Sequence, residues 1–161
     1  EYSYEEQPLG TAGALKNAES LIDDSFFMCN GDTYLDFDPK PMLDFVEKKN
    51  AKQCMLLTDP HEKGQEGLVK IDNDWKILDF VEKPKKKLDI PLINAGIYYL
   101  SQDILNKIPA KTKFSLERDI FPEIVGPNKS FYGFKYKGYF IDIGIPKNYK
   151  QFCHDVKEGK I

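Results

Sequence analysis

The sequence lacks the features that distinguish membrane proteins, disulfide-rich proteins and nucleic-acid-binding proteins. Its 161 residues include three cysteines, two histidines and one tryptophan. Cys29, Cys54 and Cys153 are too few and too scattered for a disulfide framework, and we expect free thiols in a reducing cytoplasm. No apolar run approaches the ~20 residues that a membrane span needs. A net charge of −3 offers no basic surface to a nucleic acid.

What the sequence does contain is enough apolar and aromatic material for one folded domain. Hydrophobic residues make up 41% of the chain, with eleven Phe and nine Tyr, which excludes a disordered chain. The length fits a single domain over residues 1–161. Periodicity predicts helices at 10–21, 101–106, 115–123 and 146–158, and another that begins at Asp38-Pro39 and buries Met42, Phe45 and Val46. It predicts strands at 3–5, 26–29, 53–58, 68–71, 76–81, 93–100, 131–136 and 139–141, the last two as a pair. This alternation predicts an α/β fold with a mixed, mainly parallel sheet, whose ligands bind at the carboxyl ends of strands.

Two acidic residues directly follow apolar strands. Asp32 ends the run Asn30-Gly31-Asp32, and Asp142 follows Tyr139-Phe140-Ile141. Two carboxylates at two strand ends would suit Mg²⁺, which takes one or two carboxylates and shares its remaining ligand positions with phosphates and water. Asn30-Gly31-Asp32 alone is better explained as an ordinary Asx-type turn, and two unrelated turns are the alternative for the pair. The pair is more informative than either run, but the residues alone do not establish that the two carboxylates meet.

Two further segments carry candidate binding residues. The run Gln7-Pro8-Leu9-Gly10-Thr11-Ala12-Gly13 precedes a helix, and its small residues would let a flat ligand lie against backbone donors. It lacks the Gly-Lys-Ser/Thr ending of a phosphate-binding loop, and an ordinary turn is an equal alternative. Glu82 and Lys83 end a strand before a proline. The acid would accept sugar hydroxyls and the lysine would bind a phosphate, while a solvated charge pair is the simpler interpretation.

Asp36-Phe37-Asp38 is an Asp-x-Asp pair of the kind that binds metal–nucleotide complexes in many glycosyltransferases. Pro39 follows at once, and proline is tolerated in the first turn of a helix. We therefore favour the interpretation of Asp38 as a helix N-cap.

Taken together and in this order, the motifs resemble those of the sugar-1-phosphate nucleotidyltransferases, also called NDP-sugar pyrophosphorylases. The matching runs span nearly the whole chain: Glu6-Gln7-Pro8-Leu9-Gly10-Thr11-Ala12, Asn30-Gly31-Asp32, Phe80-Val81-Glu82-Lys83-Pro84, Asn94-Ala95-Gly96-Ile97-Tyr98, Phe114-Ser115-Leu116-Glu117 and Asp142-Ile143-Gly144. The likeness is greatest to mannose- and D-glycero-D-manno-heptose-1-phosphate guanylyltransferases. It implies a Rossmann-like, three-layer α/β/α nucleotide-diphospho-sugar transferase fold.

The resemblance also implies a role for individual residues. Asp32 and Asp142 would hold a catalytic Mg²⁺, and Lys83 would be the catalytic lysine that binds the phosphate of the sugar. The nucleotide would contact Gln7, Gly10, Thr11 and Gly31. The sugar phosphate would contact Gly67, Glu82, Lys83, Asn94, Gly96 and Glu117. Mg²⁺ is the implied cofactor.

The implied reaction joins a nucleoside triphosphate, expected to be GTP, to a sugar 1-phosphate and releases pyrophosphate. The attacking phosphate oxygen is already ionised near neutral pH, so no general base is required. The expected partners are these two substrates, with no nucleic acid and no membrane, and self-association through the last helix is left open. Two alternatives remain: a nucleotide-sugar glycosyltransferase using Asp36 and Asp38, and a non-catalytic regulatory domain that binds nucleotide sugars.

One departure from the family pattern is large. Nothing in the chain matches the family's Gly-rich loop, G-G-x-G-T-R, with its following lysine. We expect the first strand, this loop and the first helix to lie upstream of Glu1, so that the chain is the C-terminal two-thirds of a nucleotidyltransferase domain. On that expectation, the chain alone would be inactive.

Overall fold

The computed structural model describes residues 1–60, 67–82 and 92–161. These residues form helices α1 (Gly10–Asn17), α2 (Lys40–Lys49), α3 (Phe121–Ile124) and α4 (Pro146–Lys157), with shorter 3₁₀ turns at Glu19–Leu21 and Gln102–Lys107 and a π-helix at Leu116–Ile120. The strands are β1 (Ser25–Cys29), β2 (Thr33–Leu35), β3 (Gln53–Thr58), β4 (Leu68–Ile71), β5 (Ile77–Val81), β6 (Ile93–Ser101), β7 (Phe131–Lys135) and β8 (Phe140–Asp142). Most lie where the periodicity predicts, but residues 3–5 form no strand.

β6 is the central strand of the main sheet. β3 pairs with one edge of β6, and β1 and β4 share the other edge, all three antiparallel to it. β7 is parallel to β3, while β5 is antiparallel to β4. The mixed sheet is therefore confirmed, and β1, β3, β4 and β7 run in one direction. Among the strand pairs described, however, only β3–β7 is parallel, because β6 returns between the other strands; the expected mainly parallel pairing is corrected on this point.

The edge of β6 changes partner in its middle. β1 ends with Cys29 opposite Ile97, and β4 begins with Leu68 opposite Ile93. Residues 94–96 of β6 face the interval between these two strands. One backbone hydrogen bond spans each side of that interval: the backbone amide of Asn30 donates to the Gly96 carbonyl at 2.9 Å, and the backbone amide of Asn94 donates to the Gly67 carbonyl at 2.9 Å. A gap in the ladder thus opens where polar residues and glycines are concentrated.

Each face of the main sheet carries its own apolar core. Alternation along β3 directs Met55 and Leu57 to the face covered by α1 and α3, and Cys54 and Leu56 to the face covered by α2. Burying a large apolar side chain is worth about 1.5–3 kcal/mol, so these two clusters account for much of the fold's stability. Helices on both faces give the three layers expected from the resemblance.

A second, small sheet supports the end of β8. β2 and β8 are antiparallel, with Thr33 opposite Asp142. β8 therefore pairs with β2, and the predicted pairing of the last two strands is wrong. α4 packs on this sheet, where the rings of Tyr34 and Phe152 lie 4.8 Å apart.

A buried carboxylate fixes α4 to the start of β8. Asp155 accepts hydrogen bonds from the Tyr139 hydroxyl, the Gln151 amide and the Lys160 ammonium, each at 2.9 Å. The hydrogen bond from Lys160, followed by those from Tyr139 and Gln151, lowers the pKa of Asp155. Burial, and then the bond to Asp155, raise the pKa of Tyr139 to about 12, so its hydroxyl remains a donor.

Replacing Asp155 should reveal this anchor. We expect Asp155→Asn to lower the thermal midpoint at pH 7, because the charged acceptor of three hydrogen bonds is lost. Since the pKa of Asp155 is lowered on folding, its stabilisation is present at neutral pH and disappears as the pH falls below the ordinary value of 3.8. The difference in free energy of unfolding between wild type and variant, measured by urea denaturation across pH, should therefore become smaller in acid.

Asp44→Asn is the matched control for Asp155→Asn. Asp44 lies on the exposed side of α2 and meets Lys40 at 3.4 Å in an exposed ion pair. Such surface pairs contribute little to stability, and we expect no change in the midpoint. An equal decrease of the thermal midpoint in the two variants would contradict the anchoring role. So would a destabilisation by Asp155→Asn that does not change with pH.

Candidate functional site

A polar cavity of about 180 Å³ opens at the gap in the β6 ladder. It is lined by residues from several elements, among them Gly67, Glu82, Asn94, Gly96 and Glu117, which are the predicted sugar-phosphate residues other than Lys83. Lys83 lies outside the residues that the structure describes. Asp32 and Asp142 line the same cavity. Sequence-distant motifs therefore meet at one place.

A larger cavity of about 640 Å³ lies beside the first one. It is bordered by the start of α1 and the end of β1, and its wall includes Gly10, Thr11 and Gly31, three of the four residues predicted to contact the nucleotide. Gln7, the fourth, is exposed and is not among the residues lining either cavity. Asn30 and Asp32 line both cavities, so the two spaces adjoin at the end of β1.

The carboxylates of Asp32 and Asp142 converge. The amide of Ile143 donates to the Asp32 carbonyl at 2.8 Å, which extends the β2–β8 ladder by one bond. A Cβ atom placed on Gly144 would lie 2.7 Å from Asp32 Oδ2 and 3.1 Å from Asp142 Oδ1. The two carboxylates therefore border the same small space, and glycine keeps that space open.

This pair suits a metal ion that is shared with substrate. Within the three described segments, no group of three or more His, Cys, Asp or Glu side chains could hold a metal alone. Mg²⁺ usually keeps several waters and is bound by one or two carboxylates together with substrate phosphates. Two carboxylates beside a cavity fit that ligand preference.

Gly96 brings the centre of β6 against the end of β1. Its φ is 72°, in the left-handed region that favours glycine, and a Cβ atom there would lie 2.9 Å from Asn30 Nδ2 and 3.0 Å from Thr33 Oγ1. Asn30 is absent from the residues predicted from the sequence, although it begins the Asn30-Gly31-Asp32 run. Its place in both cavity walls becomes evident only from the fold.

A row of hydroxyl groups holds Glu117 in the wall of the smaller cavity. Its Oε2 accepts hydrogen bonds from Thr11 Oγ1 at 2.7 Å and Ser115 Oγ at 2.8 Å, and its Oε1 accepts one from the Tyr98 hydroxyl at 3.4 Å. The same hydroxyl accepts a 2.6 Å hydrogen bond from Asn94 Nδ2. Polar side chains that face this cavity are thus oriented by each other.

Tyr98 is a second site residue that the sequence does not single out. Burial, followed by the charge of Glu117, raises the pKa of Tyr98 well above its usual value, so the hydroxyl stays protonated. The only available signal is its position four residues after Asn94 in the same run. An apolar strand makes a buried Tyr look like a core residue, and its hydrogen bonds depend on folding.

The Asp-x-Asp pair lies elsewhere. The N-cap of α2 is Pro39, one residue after the predicted Asp38, but Asp38 Oδ1 does accept a hydrogen bond from the backbone amide of Lys40 at 2.9 Å at the start of this helix. Asp36 lines a different cavity, together with Tyr136 and Lys137. The glycosyltransferase alternative therefore has no support from the placement of these two acids.

Comparison with known proteins places the chain among nucleotidyl transferases. The family described as "Nucleotidyl transferase" matches residues 1–159. The chain is 36% identical over 153 residues to a mannose-1-phosphate guanyltransferase of Debaryomyces hansenii, covering 92% of this chain and 41% of that protein. It is 34% identical over 154 residues to a D-glycero-alpha-D-manno-heptose 1-phosphate guanylyltransferase of Campylobacter jejuni, covering 94% of this chain and 65% of that protein.

Solved structures agree in fold. HddC from Yersinia pseudotuberculosis is 35% identical with a TM-score of 0.78, over 94% of this chain and 64% of that chain. Its complex with GMP-PN matches with a TM-score of 0.77. A putative glucose-1-phosphate thymidylyltransferase from Bacillus anthracis shares the fold, with a TM-score of 0.78 at 20% identity, over 91% of this chain and 61% of that chain.

The chain spans less than two thirds of each of these similar proteins, and 41% of the Debaryomyces protein. The match nevertheless runs almost from the first described residue to the last, and includes every strand and helix around the two cavities. The resemblance and the Rossmann-like fold expected from the motifs are confirmed. On the agreement of sequence, fold and motif order, the chain belongs to the nucleotidyl transferase family.

Proposed function

We propose that the protein containing this chain transfers a nucleotidyl group from a nucleoside triphosphate, GTP, to a sugar 1-phosphate. The products are an NDP-sugar and pyrophosphate. The observation that carries this proposal is the sorting of the predicted residues into two adjoining cavities that meet at Asp32. Similar proteins named as guanylyltransferases, and a similar structure complexed with GMP-PN, support guanine as the base.

The smaller cavity is suited to a sugar. Glu82, Asn94 and Glu117 place acceptor and amide groups in its wall, and such groups pair with sugar hydroxyls. Gly67 adds a wall without a side chain, since a Cβ atom there would lie 2.6 Å from the Phe80 ring. A polar cavity with fixed hydrogen-bonding groups selects a ligand by the positions of its hydroxyls.

The larger cavity is suited to a nucleotide. Ala14 and Met28 give it an apolar side for a base, and Gly10 and Gly31 leave backbone uncovered. No Cβ contact within 4 Å would arise at Gly31, so this part of the wall is open to a close-lying ligand. With a nucleotide here and a sugar phosphate in the smaller cavity, their phosphates would meet near Asp32.

In the proposed reaction, a phosphate oxygen of the sugar 1-phosphate attacks the α-phosphorus of GTP. A new P–O bond forms, the bond from the α-phosphorus to the bridging oxygen breaks, and pyrophosphate leaves with that electron pair. No proton has to be removed from the attacking oxygen, and no histidine of the described residues lines either cavity. The task of the chain is to position both substrates and to balance their charge.

Nucleotidyl transferases generally use a divalent metal ion, and we propose Mg²⁺ held by Asp32 and Asp142. When bound, such an ion neutralises phosphate charge and stabilises the developing charge on the leaving group. Asp32 and Asp142 supply two anionic ligands on the same side of the cavity junction. Gly144 keeps the space between them free of a side chain.

The remaining expectations concern location and assembly. Three free cysteines are consistent with the proposed cytoplasmic location. Within residues 1–60, 67–82 and 92–161, every helix falls short of the length and apolar content that crossing a bilayer demands. Self-association remains a prediction; the exposed Tyr149 and Val156 of α4 are where we would look for it.

Removing either carboxylate should stop turnover. We expect Asp32→Asn and Asp142→Asn, made in the full-length protein, to lower pyrophosphate release from GTP and mannose 1-phosphate by more than about 100-fold. Mutating a residue that only orients a metal ligand costs about 10–100-fold, and here the ligand itself is lost. The thermal midpoint should change little, since each change preserves shape.

Asp38→Asn is the matched control, because asparagine caps a helix as well as aspartate does. We expect it to leave pyrophosphate release unchanged, whereas a glycosyltransferase using the Asp-x-Asp pair would lose activity. Near-normal release from Asp32→Asn or Asp142→Asn would remove the metal assignment. A wild-type protein that binds both ligands without releasing pyrophosphate would instead support the regulatory-domain alternative.

Filling the space at Gly144 should disturb both carboxylates at once. In Gly144→Ala, the new methyl group would stand 2.7 Å from Asp32 Oδ2, so at least one carboxylate must move. We expect kcat to fall by about 100-fold, since misplacing a reacting group by about 1 Å costs that much. Mn²⁺ binding, followed by electron paramagnetic resonance without substrates, should weaken in parallel. Wild-type Mn²⁺ affinity in this variant would argue against a shared site.

The role of Lys83 stays a prediction. As a phosphate-binding lysine, its removal in Lys83→Ala should raise KM for the sugar 1-phosphate about tenfold, because a charge-assisted hydrogen bond is lost. KM for GTP should be unaffected. Lys87→Ala, in the same basic run, is the control and should match the wild type. An unchanged KM in Lys83→Ala would discard the role.

A further inference from the structure

Thr11 lines the larger cavity, yet its hydroxyl is directed to the wall of the smaller one. Its Oγ1 donates to Glu117 Oε2 at 2.7 Å and accepts from the Leu116 amide at 2.9 Å. A hydroxyl has one proton to donate, and here that proton is used in the hydrogen bond to Glu117. The Thr11 hydroxyl therefore has no proton left to donate to a nucleotide.

The two oxygens of Glu117 are unequally engaged. Oε2 accepts two short hydrogen bonds, from Thr11 and from Ser115 at 2.8 Å, whereas the bond to Oε1 from Tyr98 is 3.4 Å long. Bonds of the first kind to a charged group are strong, and the last is near the limit of a hydrogen bond. Oε1 is thus the oxygen with capacity to accept a further donor.

The start of α1 and the segment carrying Glu117 are held together by backbone contacts. The amides of Ala12 and Gly13 donate to the Phe114 carbonyl at 3.0 and 3.1 Å. Gly10, with φ of 73°, approaches so closely that a Cβ atom would lie 2.7 Å from that carbonyl oxygen. The position of Thr11 relative to Glu117 is therefore fixed by the chain around it.

We propose that Thr11 is a positioning residue for the sugar: by holding Oε2 of Glu117, it presents Oε1 to a hydroxyl of the sugar. This rests on the proposed function and assigns Thr11 to sugar selection, whereas the family resemblance assigns it to the nucleotide. α1 would then border the nucleotide on one side and orient a sugar ligand on the other.

The test compares Thr11→Val, which keeps the shape and loses the hydroxyl, with Thr11→Ser, which keeps the hydroxyl. In the full-length protein, calorimetric titration with mannose 1-phosphate should show about tenfold weaker binding for Thr11→Val, as expected for one lost hydrogen bond to a charged group. Binding of GTP should be unchanged. Thr11→Ser should restore sugar binding, which a purely structural role of the methyl group would not allow.

Monodeoxy mannose 1-phosphates provide a second measurement. The analogue that lacks the hydroxyl recognised by Glu117 should bind the wild type more weakly, and Thr11→Val should add little to that loss, because the two changes remove one interaction. Full additivity for every analogue would overturn the proposal. So would a loss of GTP affinity in Thr11→Val, unchanged affinity for both ligands, or no binding of mannose 1-phosphate by the wild type. Binding without pyrophosphate release would refute the proposed function alone.

Discussion

The pairing of β2 with β8 is the constraint on which the site depends. Each strand has three residues, and their antiparallel register sets Thr33 against Asp142, beside Asp32. Two short strands are marginal alone, so the sheet needs support from outside. α4 supplies it through ring packing and through the buried Asp155, which binds the residue preceding β8. The geometry of the carboxylates therefore depends on a helix that touches neither cavity.

Local patterns account for what the sequence predicts well. The short apolar run within Gln53–Thr58 gives β3 with its observed bounds, and apolar strands followed by an acid mark Asp32 and Asp142. The pairing of strands is a different matter, because a hydrogen-bonded partner is chosen by the whole fold. The Lys137-Gly138 turn favours a hairpin of the last two strands, yet β8 pairs with β2, which is far away in sequence.

In the candidate site too, the sequence identifies some residues, whereas the interactions between residues become evident only from the fold. The family resemblance identifies Gly67, Asn94 and Glu117, which the fold brings into one wall. The sequence does not predict hydrogen-bond partners: its pattern indicates a core residue at Tyr98 and a residue of a glycine-rich turn at Thr11. Their roles depend on donor–acceptor distances between segments that are remote along the chain.

The junction of the two cavities has an electrostatic consequence. Asp32 and Asp142 place two carboxylates where, in the proposed reaction, two phosphate-bearing substrates would also meet. Like charges at this separation repel, so simultaneous occupancy by both substrates is unfavourable unless positive charge is taken up with them. In the proposed reaction, the cation concentration would therefore act by linkage as an effector of substrate affinity, and each substrate would raise the affinity of the junction for cations in turn.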